Sequence, residues 1–376
     1  MISGRLRNTS LIVDLGALRH NIKEQKKALP AESKILAVVK ANAYGNGLIP
    51  VGQAAIKAGA TGLCVAILDE GLALRDSGMT AMTLVLGVTP VEDAVVAAEA
   101  GISLTVGSLE WLEKYHQFAQ INTPPQPLKV HLAIDSGMGR IGFTDVATFK
   151  QAVELLTAPE FEFEGMFTHF ATADSADDRY FQKQVECWQR FVNSLDTLPP
   201  YVHMANSATG LWHQDKITAN TVRMGISMYG QNPSGRELQP TFELRPVTQL
   251  VSSIGFVKKL KAGRSVSYGA TYTAKEDEWL ATLPIGYADG YPRCMTGFKV
   301  LVDGQFCDIA GRVCMDQLMV RLPKYYPEGT PVVLMGKSGD KEITADDLAE
   351  QAGTINYEIL TNISERVYRV YRDDNE

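Results

Sequence analysis

Eight short apolar runs, separated by segments whose apolar residues recur at helical spacing, dominate the chain between residues 34 and 230. The runs are Lys34–Ala41, Gly62–Leu68, Met82–Gly87, Ser103–Val106, Leu128–Asp135, Phe161–His169, Tyr201–Asn206 and Asn220–Met224. Short β-branched runs of this kind read as buried strands. Between them, Val91–Ala100, Ser108–Phe118, Ala147–Thr157 and Asp178–Leu195 repeat apolar residues every three or four positions, the period of a helix packed on one face. Eight strands, each followed by a helix, predict an α/β fold with one closed, parallel (β/α)8 barrel of the TIM type. Periodicity carries no information on closure, so a doubly wound sheet is the alternative. No G-x-G-x-x-G follows an early strand, which weakens the dinucleotide-binding version of that alternative.

The texture changes at Gln231-Asn232-Pro233-Ser234-Gly235, a stretch of chain breakers. Beyond it the pattern is strand and turn: Val247–Gly255, Trp279–Ile285, Phe298–Val302 with Asp303-Gly304 as a hairpin signal, Arg312–Leu322 and Thr330–Met335, with one helix at Ala345–Gln351. The expected organisation is a barrel domain over 12–235 and a mainly β C-terminal domain over 236–376, joined by residues 1–11. Ser10–Leu15 reads as a strand added to that second domain, and Leu18–Leu29 as the helix leading into the barrel.

With 376 residues and a net charge of −7, the chain has room for two cores and no basic run that would track phosphates, which argues against a nucleic-acid partner. It starts without an apolar signal region and contains no apolar stretch of about 20 residues, so no membrane span is expected and a cytoplasmic location is. Five scattered cysteines and six dispersed histidines point to reduced thiols and to no metal site.

In a barrel of this type, functional groups gather at the C-terminal ends of the strands. Lys40 closes the first run, Arg140 follows the fifth and His169 closes the sixth; His203, Asn206 and Ser207 end the seventh, and Arg223-Met224-Gly225-Ile226 the eighth. An amine at the rim of an apolar site is favoured in its neutral, nucleophilic form. Ser207 with the N–H groups of Gly225 and Ile226 would suit a phosphate. A lysine on one side and a phosphate cradle on the other describe a site for pyridoxal 5′-phosphate. Each residue also has a plainer reading: Arg140 as a surface cation, His169 as a core histidine, Arg223 as half of an ion pair, Ser207 as a helix cap. In the β domain, Tyr268 lies beside Gly269 in a strand-like region, either a packed aromatic or a phenol used as acid and base.

The motifs resemble those of the alanine racemases. Ala37-Val38-Val39-Lys40-Ala41-Asn42-Ala43-Tyr44-Gly45-Asn46-Gly47 is similar to that family's cofactor-attachment signature. The likeness continues through Ser136–Gly142, Thr168–Ala171, His203–Ser207, Val222–Ile226, Ser267–Tyr272, Pro284–Gly290, Gly311–Asp316 and Ile355–Glu358, spanning both domains. The resemblance implies pyridoxal phosphate as cofactor, interconversion of L- and D-alanine that supplies peptidoglycan, and a homodimer with shared active sites. It implies two bases on opposite faces of the substrate, Lys40 and the other subunit's Tyr268. Arg140 and the backbone of the other subunit's Met315 would hold the substrate carboxylate. Tyr44, Ser207, Gly225, Ile226 and Tyr357 would hold the phosphate, with Asn206 beside them. Arg223 would face the pyridine nitrogen, and His169 would link Arg223 towards Tyr268. Tyr287, Arg293, Arg312 and Asp174 match a substrate corridor.

One position departs from the family pattern. Many members carry a carbamylated lysine two residues before the Asp of the Asp-Ser-Gly-Met-Gly-Arg motif; here that position is Ala133. Lys129 lies four strand residues earlier, roughly 13 Å back. The expectation is therefore that no carbamylated lysine braces Arg140. Competing readings are a serine or broad-specificity racemase, a non-catalytic cofactor carrier and a basic amino-acid decarboxylase. The β domain with Tyr268 argues against the carrier, and no acidic motif for a distal amine supports the decarboxylase.

Overall fold

The eight apolar runs close on themselves. In the computed structural model, which describes residues 2–373, strands Lys34–Val38, Gly62–Val65, Met82–Val88, Ser103–Val106, Leu128–Ile134, Phe161–Thr168, Tyr201–Ala205 and Thr221–Met224 form a closed barrel in chain order. The eighth strand returns parallel to the first, pairing Thr221 with Lys34 and Met224 with Ala37. That pairing excludes the doubly wound alternative.

The helices between these strands bury one face each. Arg179–Val192 buries Phe181, Gln184, Trp188 and Phe191. Each buried phenylalanine contributes about 1.5–3 kcal/mol of apolar transfer. Ser108 accepts the Trp111 N–H at 3.3 Å to start the helix Leu109–Ile121, and Asp145 accepts the Thr148 N–H at 2.8 Å to start Val146–Leu155.

The chain divides into two compact units, one of Leu18–Ala43 and Leu48–Arg245, the other of residues up to Ala17, Tyr44–Gly47 and residues from Pro246 onward. The second unit is mainly β. Its larger sheet runs Gln305–Asp308, Lys299–Val302, Pro331–Ser338, Thr248–Ser253, Ser10–Asp14, Tyr368–Arg372, with Lys341–Ile343 paired to Pro331–Ser338. A smaller sheet orders Phe256–Leu260, Glu278–Leu283 and Leu318–Leu322. Asp303 (φ 50°) and Gly304 (φ 70°) turn the hairpin between Lys299–Val302 and Gln305–Asp308, both in the left-handed region that a tight two-residue turn demands. Helix Ala345–Ala352 begins with a reciprocal cap between Thr344 and Asp347.

Several elements differ from expectation for physical reasons. The first barrel strand stops at Val38 rather than Ala41, because Ala41–Tyr44 turn left-handed, with φ of 53–54°. The expected Arg312–Leu322 strand is regular only over Leu318–Leu322. Two strands without a sequence signal, Phe256–Leu260 and Tyr368–Arg372, lie at sheet edges, as does Gln305–Asp308, which only the Asp303-Gly304 hairpin signal announces. Edge strands carry charge and lack a two-sided apolar pattern, so they escape a search for apolar runs. No helix among the described residues is long and apolar enough to cross a membrane.

The Gly45 backbone has φ +82°, and a Cβ there would meet the Leu360 carbonyl oxygen at 2.5 Å. Gly45→Ala should therefore lose about 2 kcal/mol or more of stability, read as a lower urea midpoint. An unchanged midpoint would show that this contact relaxes freely.

Candidate active site

Lys40 stands two residues beyond the first barrel strand, where the chain enters a left-handed turn. Ala41, Asn42 and Ala43 have φ of 53–54° and ψ of 45–52°. L-residues avoid this conformation at a cost of roughly 1–2 kcal/mol each, so the segment stores strain directly after the lysine. Specific hydrogen bonds hold it. Ala43 N–H donates to the Val39 carbonyl at 2.7 Å, Asn42 N–H to Glu70 Oε1 at 3.3 Å, and Leu48 N–H to Asn42 Oδ1 at 2.8 Å. Desolvation, then the positive charges of Arg140 and Arg223, lower the Lys40 pKa and enlarge its neutral fraction.

Arg223, on the eighth strand, is 3 % exposed and reaches across the barrel. Its NH1 donates to His203 Nδ1 at 2.8 Å and to the His203 carbonyl at 2.9 Å. Its NH2 donates to the Thr168 carbonyl at 2.6 Å and to His169 Nδ1 at 3.2 Å. A guanidinium has five N–H groups. The fifth, on Nε, has no partner among the described residues. Burial lowers the Arg223 pKa to about 10, so the group stays cationic at neutral pH. Desolvation and the charges of Arg223, Arg140 and Lys40 push His169 down to about 3, leaving its ring neutral. The His203 imidazole lies parallel to the Phe167 ring, centroids 4.9 Å apart, and the guanidinium carbon of Arg223 lies 5.1 Å from the same ring.

Below the eighth strand's end, Ser207 Oγ accepts N–H groups from Gly225 at 2.8 Å and Ser227 at 3.4 Å. The chain turns sharply there, with Gly225 at φ −105°, ψ −110°. Ser207 is not the cap of helix Ser207–Trp212. Asn206 is, accepting from Thr209 N–H at 2.9 Å and Thr209 hydroxyl at 3.0 Å while its amide donates to the Phe170 carbonyl at 3.3 Å. Asn206 thereby fixes the orientation of its neighbour.

The β-rich unit presents its own group of candidates. Tyr268 is 70 % exposed on a short turn in which Ser267 (φ 68°) and Ala270 (φ 47°) are both left-handed. Met315 is 52 % exposed, in a loop stitched to its neighbour by Tyr287 N–H to the Cys314 carbonyl and Ala288 N–H to the Met315 carbonyl, both 3.0 Å. Tyr44 and Tyr357 bring their rings within 6.1 Å. Tyr287, Arg293 and Arg312 belong to this unit, Asp174 to the barrel unit. Among the described residues no group of three or more His, Cys, Asp or Glu is arranged to hold a metal ion.

Comparison with known proteins decides the family. Residues 13–233 match the alanine racemase N-terminal domain and residues 247–371 the alanine racemase C-terminal domain. The chain is 79 % identical over 372 residues to an alanine racemase of Limosilactobacillus reuteri, covering 99 % of each protein.

The chain belongs to the alanine racemase family.

Solved structures of the family superimpose on it throughout. Alanine racemase from E. faecalis has a TM-score of 0.96 at 44 % identity, covering 99 % of this chain and 100 % of that one. A histidine racemase from Leuconostoc mesenteroides has a TM-score of 0.93 at 36 % identity, covering 99 % and 100 %. Membership makes the chain an amino-acid racemase.

Against that family background, Ala133 is 1 % exposed on the fifth strand, paired with Phe167. Lys129 is engaged elsewhere, its Nζ 3.4 Å from Glu164 Oε1. Among the described residues no side chain hydrogen-bonds or ion-pairs with the exposed Arg140. The adjoining loop is ordered by Asp135, whose Oδ1 accepts N–H groups of Gly137 at 2.9 Å and Gly139 at 3.0 Å. Three contributors to the site had no reading in the sequence: His131, Glu164 and Phe167. His131 and Glu164 sit inside strands, where a polar residue breaks an apolar run without forming a motif, and Phe167 reads as ordinary core.

Burial lowers the pKa of His131 and His203, both fully enclosed, and His169 falls to about 3. An unfolded histidine binds a proton below pH 6.5 that these folded ones do not, so stability is complete above that pH and is lost as pH falls below it. Each should add up to about 1.4 kcal/mol of lost stability per pH unit. Urea unfolding of the apoprotein from pH 7.5 to 5 should show a falling midpoint; a flat profile would mean that the rings are charged in the folded state.

Proposed function

We propose that this racemase interconverts L- and D-alanine with pyridoxal 5′-phosphate, in a homodimer with shared active sites in the cytoplasm, and that it supplies D-alanine for peptidoglycan. The observation that carries the cofactor reading is Arg223, whose one uncommitted N–H suits the unprotonated nitrogen of a pyridine ring. The Ser207 hydroxyl, whose oxygen accepts the Gly225 and Ser227 N–H groups, keeps its own hydrogen to donate to a phosphate. Ser207, Gly225 and Ile226 would hold that phosphate together with Tyr44 and Tyr357, and Lys40 would carry the cofactor covalently until the substrate's amine takes its place and frees the Lys40 amine. When bound, pyridoxal phosphate spreads the charge left on the substrate's α-carbon after its proton is removed.

The remaining work belongs to side chains. Lys40 Nζ takes the α-proton from D-alanine and returns one to the same face. The partner's Tyr268 Oη does so on the opposite face for L-alanine, which is what inversion at one carbon requires. A neutral amine at Lys40 is favoured by desolvation and by two nearby cations. His169 accepts from Arg223 through Nδ1, which leaves its Nε2–H free to donate to the phenol oxygen. Arg140 would grip the substrate carboxylate through its bidentate fork, with the backbone N–H of the partner's Met315 completing the grip. In the isolated chain Tyr268 and Met315 are largely exposed, as residues that complete a neighbouring subunit's site would be. The β-rich segment 236–376 with 1–11 would then supply that completing surface to the other subunit's barrel over 12–235.

Purified protein with pyridoxal phosphate should convert L-alanine to D-alanine, while Lys40→Ala and Tyr268→Phe should each lose at least about 100-fold. Mixing those two variants should restore up to about a quarter of wild-type turnover, since a mixed dimer rebuilds one intact shared site. No restoration would place both bases in one subunit. Faster turnover of histidine or serine than of alanine would overturn the substrate.

A further inference from the structure

Four buried polar side chains run down the barrel interior from the mouth: Arg223, His203, His131 and Glu164, on the eighth, seventh, fifth and sixth strands. Arg223 NH1 donates to His203 Nδ1 at 2.8 Å. His203 Nε2 lies 2.8 Å from His131 Nδ1, and His131 Nε2 lies 3.0 Å from Glu164 Oε2. A guanidinium can only donate, so His203 Nδ1 must be bare and its Nε2 must carry the hydrogen. His131 Nδ1 must then accept, and His131 Nε2 must donate to the carboxylate. The hydrogen bonds have one polarity from end to end, with a cation at the mouth, an anion below and two neutral imidazoles between.

The surroundings are built for this line. A Cβ on Gly165 would stand 2.4 Å from His131 Nδ1, so the missing side chain makes room for the ring. Phe167 packs against the His203 ring. Glu164 also accepts a hydrogen bond from Ser103 Oγ on the fourth strand and faces Lys129 at 3.4 Å; Tyr201 on the seventh strand packs against His131, centroids 5.8 Å apart. Burial pushes the Glu164 carboxyl up, but the bonds from His131 and Ser103 and the charge of Lys129 outweigh it and hold the group below the usual carboxylate range. Arg223 has no direct carboxylate partner among the described residues, although it is 3 % exposed. An uncompensated buried cation is costly.

We infer that Glu164 is the counter-ion of Arg223, acting through His131 and His203, and that these three are positioning residues that orient the guanidinium towards the cofactor ring. The effect on the cofactor rests on the function proposed above; the hydrogen-bond polarity does not. On the sixth strand Glu164 lies four residues before Thr168, roughly 13 Å along the strand. Charge at the lower part of the barrel is thus coupled to the group at its mouth.

The test begins with 15N-histidine NMR of the wild-type apoprotein, which reads ring tautomers without cofactor or substrate. His203 and His131 should both be neutral with the hydrogen on Nε2. A charged ring, or a hydrogen on His203 Nδ1, would overturn the inference whether or not the protein binds pyridoxal phosphate. Glu164→Gln should then shift the His203 ring signals and weaken pyridoxal phosphate binding by about tenfold or more. It should also lower kcat for alanine with little change in KM, and Glu164→Asp should recover part of each loss. A Glu164→Gln protein with unchanged His203 signals and unchanged cofactor affinity would reduce the chain to local packing.

Discussion

One buried cation organises the barrel interior. Arg223 joins the seventh and sixth strands through His203 and Thr168, and it reaches His169 at the rim. None of these acceptors carries a negative charge, so the guanidinium keeps its full charge within a ring of neutral groups. That charge helps to hold His169 neutral and helps to lower the Lys40 pKa. The electrostatics of the two groups nearest the proposed chemistry therefore depend on a residue that, in the same proposal, transfers no proton itself. A carboxylate in place of Arg223 would reverse both effects.

Strain is concentrated beside the proposed bases. Lys40 precedes a run of left-handed residues, and Tyr268 lies between left-handed Ser267 and Ala270. Neither segment could hold these angles by propensity, since L-residues disfavour them. The Lys40 turn is over-determined by its bonds to Val39, Glu70 and Leu48, and the Tyr268 turn by the Ser267 hydroxyl, which donates to the Arg312 carbonyl at 2.6 Å. Such conformations persist only where the surroundings fix them, and they fix the direction of the side chains they carry.

The barrel was readable from the sequence because each of its strands is buried on both faces and so appears as an apolar run. Its closure was not, since register between the first and eighth strands leaves no local trace. The β-rich unit was readable in its centre and not at its margins: Phe256–Leu260 and Tyr368–Arg372 carry Lys and Arg because they are edges. Site residues beyond the strand ends, such as Lys40, Arg140 and Ser207, stood out by motif. His131 and Glu164 did not, because a polar residue within an apolar strand acquires meaning only when a neighbouring strand supplies its partner. Ser207 shows the converse: a serine beside a helix start has the look of a cap, yet Asn206 caps and Ser207 faces the Gly225 turn.

The central claim is that Arg223 presents a donor to an unprotonated ring nitrogen. Its most direct test is 15N NMR of the protein loaded with pyridoxal phosphate labelled at that nitrogen. A resonance in the range of a hydrogen-bonded, unprotonated pyridine throughout neutral pH is the predicted result. A pyridinium resonance would contradict the account, because it would require a base where the structure has a cation.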